Sequence, residues 1–264
     1  MKFQTAFICI AAFSCLTIFA AGPVTNKPVL LYTRYFNAPG ENRYLPTGNF
    51  KDVLARLQTE FEVRANSDPV TKKSLADVNV LLIANPDDKA DGTNAPPHHV
   101  SKKDIKMITD FVERGGGLIL MGNQNGHNVE VNDVNKLLAQ FGLQLTNLYT
   151  DIKLLPLSKE TPVIGGLRWG YFTGNLVLIE TNHPAKPRSL ITNDLTLKPL
   201  NGSRDQAGSL LAVSEPGLGH VAVATDCGWI TDEALEGKAI DGVTIKDDDN
   251  WEIFRRLAHW ASGH

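Results

Sequence analysis

The stretch SKKDIKMITDFVERGGGLILMGNQNGHN, Ser101 to Asn128, holds one complete helix-to-strand unit. Ser101 stands where an N-cap is needed, and Asp104 follows three residues later, a variant of the capping box. Ile105, Ile108 and Val112 recur at helical spacing with Met107 and Phe111 beside them, so an amphipathic helix is expected. Gly115 to Gly117 then supply residues able to end a helix in the left-handed conformation. Leu118 to Met121 reads as a short buried strand that runs straight into Gly122-Asn123-Gln124-Asn125-Gly126-His127-Asn128. That polar cluster is either the lip of a site or a well-bonded turn.

The same alternation extends to both sides. PVLLYTRYFN (Pro28 to Asn37) starts as an apolar strand and ends polar and aromatic, and the Gly/Pro-rich loop APGENRYLPTG follows. NFKDVLARLQTEF (Asn49 to Phe61) sets Phe50, Val53, Leu54, Leu57 and Phe61 on one helical face. FEVRAN is a candidate short strand. SLADVNVLLIANP (Ser74 to Pro86) is a continuous apolar run ending in Asn-Pro, suited to a parallel strand covered on both faces. NDVNKLLAQFGL supplies a further helix through Val134, Leu137, Leu138 and Phe141. Strands alternating with helices over short connections predict a parallel sheet with right-handed crossovers.

From Gln144 to Asn201 the character changes to more Pro and β-branched residues, read as antiparallel strands elaborating one edge, a β-rich insertion at about 144–201. SLLAVSEPGLGHVAVATDC reads as a hairpin with strands Leu210 to Ser214 and His220 to Thr225. DDDNWEIFRRLAHWAS ends the chain with a helix, Asp249 or Asn250 at its N-cap and Trp251, Phe254, Leu257 and Trp260 at helical spacing.

The 264 residues are 42% apolar and 21% charged with a formal net charge of -3, an ordinary globular balance. With no basic stripe, nucleic acid is not an expected partner. Residues 1–21 have the shape of a secretory signal peptide: Lys2, an apolar run from Ala6 to Phe19, then small residues. That run is shorter than the ~20 residues that span a bilayer. The expectation is an exported, periplasmic or extracellular protein, with 22–264 as a single α/β domain and no membrane attachment after cleavage. Cleavage would remove Cys9 and Cys15 and leave Cys227 as the only thiol, which excludes an internal disulfide and a multi-thiolate zinc site.

Taken together, VLLIANP, ITDFVERGGGLILMGNQ, LLAQFGL, GHVAVATDCGWITDEAL and DDDNWEIFRRLAHWA resemble the flavodoxin-like domain of the class I glutamine amidotransferase-like superfamily. The likeness is greatest to its exported bacterial branch, whose domains often accompany polysaccharide-degrading proteins. It covers Pro28 to Ser262 and is weakest from Tyr149 to Asn201. The resemblance implies a doubly wound, mostly parallel sheet. Amidotransferases of that superfamily carry a G-x-C-x-G elbow, and at the corresponding turn this chain has Gly122-Asn123-Gln124-Asn125-Gly126 with neither Cys nor Ser. Glutamine hydrolysis by the family mechanism is therefore not expected.

Ligands of open parallel sheets bind beyond the carboxyl ends of the strands. Those ends hold Arg34, Tyr35 and Asn37; Asn85; Asn123, Gln124, Asn125 and His127; and Asp226 with Cys227. His127 is the candidate general acid or base, with Asp226 as its partner or as an acid itself. Asn37, Asn85, Asn123, Gln124 and Asn125 are the candidate ligand-binding amides, although Asn-Pro and Asn-Gly are also ordinary turn residues. Cys227 reads as a nucleophile only if its pKa is lowered, and otherwise as an inert buried thiol. Trp169, Tyr171 and Phe172 suit sugar stacking or, first of all, core. His98, His99 and His183 form no ligand spacing that selects a metal, and Asp247 to Asp249 fit a helix N-terminus. No metal or cofactor is expected. The implied partner is a small molecule or oligosaccharide, and the readings left open are a carbohydrate-binding or carbohydrate-processing domain, a non-catalytic interaction domain, and a hydrolase or lyase using Cys227 or His127 with Asp226.

Overall fold

Four strands of the first half, β1 (Val29–Thr33), β2 (Glu62–Asn66), β3 (Val80–Ala84) and β4 (Gly117–Met121), pair side by side in parallel in the order β2-β1-β3-β4. The structure is a computed structural model and describes residues 27–86, 97–123, 129, 131–240, 242–246 and 248–263. β1, β3 and β4 are buried along their whole length, which is why they read as unbroken apolar runs rather than alternating ones. β2, at the sheet edge, is half exposed and carries Glu62 and Arg64.

The insertion contains β5 (Leu143–Leu145), β6 (Lys153–Pro156), β7 (Arg168–Tyr171), β8 (Val177–Ile179) and β9 (Arg188–Asn193). β6 and β7 form a separate antiparallel hairpin. β10 (Gly208–Ser214) and β11 (His220–Ala224) make the expected hairpin, and β11 lies parallel to β4. The described residues thus give a nine-stranded sheet ordered β2-β1-β3-β4-β11-β10-β8-β5, with β9 also on β10. It is an α/β fold with a mostly parallel centre and an antiparallel flank.

Helices cover both faces. α1 (Lys51–Leu57) and α5 (Asn250–Ser262) pack with Leu30, Tyr32, Leu82, Ile119 and Ala222 on one side. α2 (Lys102–Glu113) and α3 (Val131–Leu138) pack with Leu31, Leu81, Ile83, Leu118 and Val221 on the other. Consecutive strand residues alternate between these two cores, as the period of two requires. Each fully buried Leu or Phe adds roughly 1.5–3 kcal/mol to burial.

Ser101 caps α2 in the expected box, accepting from the Asp104 backbone N–H while Asp104 accepts from Ser101 N. Asp249 stands at the N-cap of α5, but its carboxylate accepts from Arg168 N at 2.7 Å instead of capping the helix. α1 has no local side-chain cap; Asp232, at the start of the short α4 (Asp232–Leu235), accepts from Asp52 N and Val53 N at 3.0 Å. At Gly117 an added Cβ would stand 2.2 Å from Ala261 O, so the end of α5 lies on the start of β4 where only glycine fits.

Candidate functional site

Because β1, β3, β4 and β11 are neighbours in the sheet, their carboxyl ends come together, and the polar residues that follow them meet in one place. Asn37 Nδ2 donates to Asn85 O at 2.7 Å and Ala84 O at 3.2 Å, tying the β1 loop to the end of β3. Asn123 Nδ2 donates to Tyr44 Oη at 2.8 Å, and Cys227 N donates to Asn123 Oδ1 at 2.7 Å. Tyr44, which the strand-end reading missed because it lies deep in the loop, in turn accepts at its backbone oxygen from Tyr32 Oη at 2.6 Å. Asn123 is therefore a clasp between the β1 loop and the turn after β11.

Asp226 is 2% exposed. Its Oδ2 accepts from Phe172 N at 2.9 Å and its Oδ1 from Gly228 N at 2.6 Å. The carboxylate thus fixes the turn after β11 and the start of the loop after β7. Cys227 is fully buried. Burial first, and then the charge of Asp226, push its thiol well above the usual range, only partly offset by the Asn85 backbone. Burial does the same to the Tyr32 and Tyr44 hydroxyls. These groups keep their protons at neutral pH, and a protonated, enclosed thiol is a poor nucleophile.

Asn85 is the strained member. It is fully buried, adopts φ 51 just before Pro86, and neither side-chain polar atom has a partner among the described residues. Left-handed Asn is tolerated better than most residues there, yet a buried orphaned amide costs about 1–3 kcal/mol per group. Gln124, Asn125 and His127 lie outside the described residues. Trp169, Tyr171 and Phe172 are core: Trp169 sits edge-on to Tyr171 and Trp229.

Beside this cluster, at the carboxyl ends of β1 and β2, a cavity of about 450 Å³ is lined by Arg34, Tyr35, Asn37, Glu41, Ser67 and His98, among others. Tyr35 and His98 stack with ring centres 4.3 Å apart and 12° between planes, and His98 Nδ1 lies 3.0 Å from Tyr35 O. Burial alone would raise the Glu41 carboxyl, but Arg43 holds it below the usual range through its backbone N–H and Nε, both at 2.8 Å. Sequence reading found Arg34, Tyr35 and Asn37 at this rim; Glu41, Ser67 and His98 come from separate loops and carry no shared motif. A larger hollow of about 900 Å³ lies at the opposite end of the sheet around Lys27, Gln58 and Asn79. The carboxyl-end cavity is the better candidate for a ligand site, because strand-end loops of a parallel sheet converge there.

A family model described as the IFT52 GIFT domain matches residues 33–152, from the end of β1 to the start of the insertion. The mouse intraflagellar transport protein 52 homolog is 20% identical over 115 residues, covering 44% of this chain and 25% of that protein. The chain therefore matches only a quarter of that relative's length. Among solved structures, the mmIFT52 N-terminal domain aligns with a TM-score of 0.64 at 15% identity, covering 89% of this chain and 97% of that one. A cytoplasmic protein of Salmonella typhimurium LT2 gives 0.56 at 14% identity, with 89% and 99% covered. A ThuA-like protein of Bacteroides uniformis gives 0.53 at 11%, with 92% and 95% covered.

The fold is thus similar to that of the mmIFT52 N-terminal domain and of ThuA-like proteins. The GIFT-like match runs from the last residue of β1 through β4 and the turn that holds Asn123, so it includes three of the four strand ends that meet at the site. In this GIFT-like chain the described part of the turn after β4 ends in Asn123, an amide already bonded on both sides.

Proposed function

We propose that this chain is an exported, non-catalytic binding domain that takes a small polar ligand of the carbohydrate class in the cavity at the carboxyl ends of β1 and β2. The observation that carries this reading is the cavity itself. It is about 450 Å³, within the ~300–1,000 Å³ usual for small-molecule sites, and it presents a flat aromatic surface beside convergent polar groups. The neighbouring strand-end groups are turned inward. Asp226 holds two backbone N–H groups, Asn123 joins two loops, and Cys227 is enclosed and protonated, which favours binding over covalent chemistry. The apolar run Ala6 to Phe19 supports export.

A screen of neutral and acidic saccharides, read by thermal shift and by product release, tests this. The expected result is a shift without product, lost in Tyr35→Ala and His98→Ala variants that keep their circular dichroism. Product above the blank, or no shift with any saccharide, would overturn it.

A scaffold role is the second reading, favoured by the exposed Leu195, Leu197 and Leu200 within one short segment. It predicts self-association or partner capture that Leu195→Lys with Leu200→Lys abolishes, without effect on saccharide binding.

A further inference from the structure

We infer that the ligand of the carboxyl-end cavity carries a carboxylate, seated on Arg34. This rests on the binding reading above. Arg34 is 9% exposed and lines the cavity. A guanidinium has five N–H donors. Here Nη2 donates to Glu41 O at 2.7 Å, and among the described residues no other acceptor and no carboxylate oxygen within 4.0 Å pairs with Arg34.

Glu41 is bonded by Arg43 in a fork and also feels the charge of Arg34, so two arginines share one carboxylate and one positive charge is left over. A buried cation with only a shared counter-charge is expensive, and an incoming anion would relieve it. One unmatched positive charge suits a monoanion, and the edge of a guanidinium fits the planar carboxylate with two parallel bonds. A phosphate dianion would want further donors. Among the described lining residues there is no second cation, and the Glu41 carboxylate stands nearby. Beside Arg34 in the same cavity, the Tyr35–His98 stack gives the face on which a sugar ring can lie, and His98 leaves its Nε2 edge for a hydroxyl. An acidic sugar of the uronate type meets both requirements at once.

The test is calorimetric titration of the protein with glucuronate and galacturonate, with their neutral carboxamides, and with glucose 6-phosphate. Uronates should bind at least ~10-fold more tightly than the carboxamides, the usual gain of a charge-assisted pair. Raising NaCl from 0.05 to 0.5 M should erode that gap while leaving the carboxamides unchanged, a readout that needs no variant. Arg34→Gln should close the gap, and Arg34→Lys should restore part of it. Equal binding of uronate and carboxamide would overturn the carboxylate inference and leave the binding reading standing. Tighter binding of glucose 6-phosphate would overturn it in favour of phosphate. Binding of none of these would remove both.

Discussion

Lys153 lies on β6 with its side chain 1% exposed, and its ammonium donates to Leu197 O at 2.6 Å and to Asp205 Oδ2 at 2.7 Å. Asp205 Oδ1 accepts in turn from Asn193 Nδ2 at 2.7 Å. One buried cation therefore pins the segment after β9 to the β6–β7 hairpin. Lys153→Met keeps the volume of the stem but removes the charge and both hydrogen bonds. Asp205 is then left with one neutral donor and Leu197 O with none.

Breaking a buried pair from one side costs about 3–5 kcal/mol. For a domain of this size 1 kcal/mol corresponds to about 2–4 °C in Tm, so a fall of roughly 6–20 °C is expected. The assay is urea unfolding followed by fluorescence and circular dichroism together, with Asp205→Asn and the double variant measured alongside. The double variant should lose less than the sum of the singles, by at least ~1 kcal/mol, because each single leaves a charge that the other removes. A loss below ~1 kcal/mol for Lys153→Met, or additivity within ~0.5 kcal/mol, would refute the coupling.

Asn123→Ala should cost about 2–4 kcal/mol by leaving Tyr44 Oη and Cys227 N unpaired, measured by the same unfolding curves. Asn85→Gly removes an orphaned amide and a left-handed side chain, so Tm should rise; a fall would show that the amide has a partner in solution. Cys227 should resist iodoacetamide in the native protein and react in urea, and native labelling would contradict its burial. His220 is held below its ordinary pKa by burial, against the raising effect of Glu215 and alongside the lowering effect of Arg188. Its contribution to stability is therefore present above the unfolded-state value of about 6.5 and lost as pH falls toward the lower folded-state value. Unfolding from pH 8 to 5 should show this slope, and His220→Gln should flatten it.

The central strands were legible because burial on both faces left an unambiguous apolar signal in VLLYT, VLLIA and GLILM. α2 was equally legible, since its cap, apolar face and terminal glycines are all local. α1 came out shorter than its apolar spacing implied: Phe61 is buried beyond the helix end, and the helix start depends on Asp232, far along the chain. The convergence of Asn37, Asn85, Asn123 and Asp226 follows from strand order and could be read from sequence. What those side chains bond could not, because Tyr44, Phe172 and Gly228 reach them through loops with no periodicity. The cavity was the least legible feature, since it exists only where three separate loops approach one another.

The place of β11 has a consequence for how the chain can be made and cut. It is the ninth strand of the large sheet in chain order, yet it fills the slot between β4 and β10 at the sheet's centre. A nascent or truncated chain ending after β5 would present β4 as a bare, flat, apolar edge, the template on which aggregation starts. Folding must then wait on a pairing between residues about a hundred positions apart, which makes this a slow, high-contact-order assembly. A protease nick in the 194–206 loop should be tolerated by the finished domain, whereas deletion from residue 220 onward should yield insoluble protein.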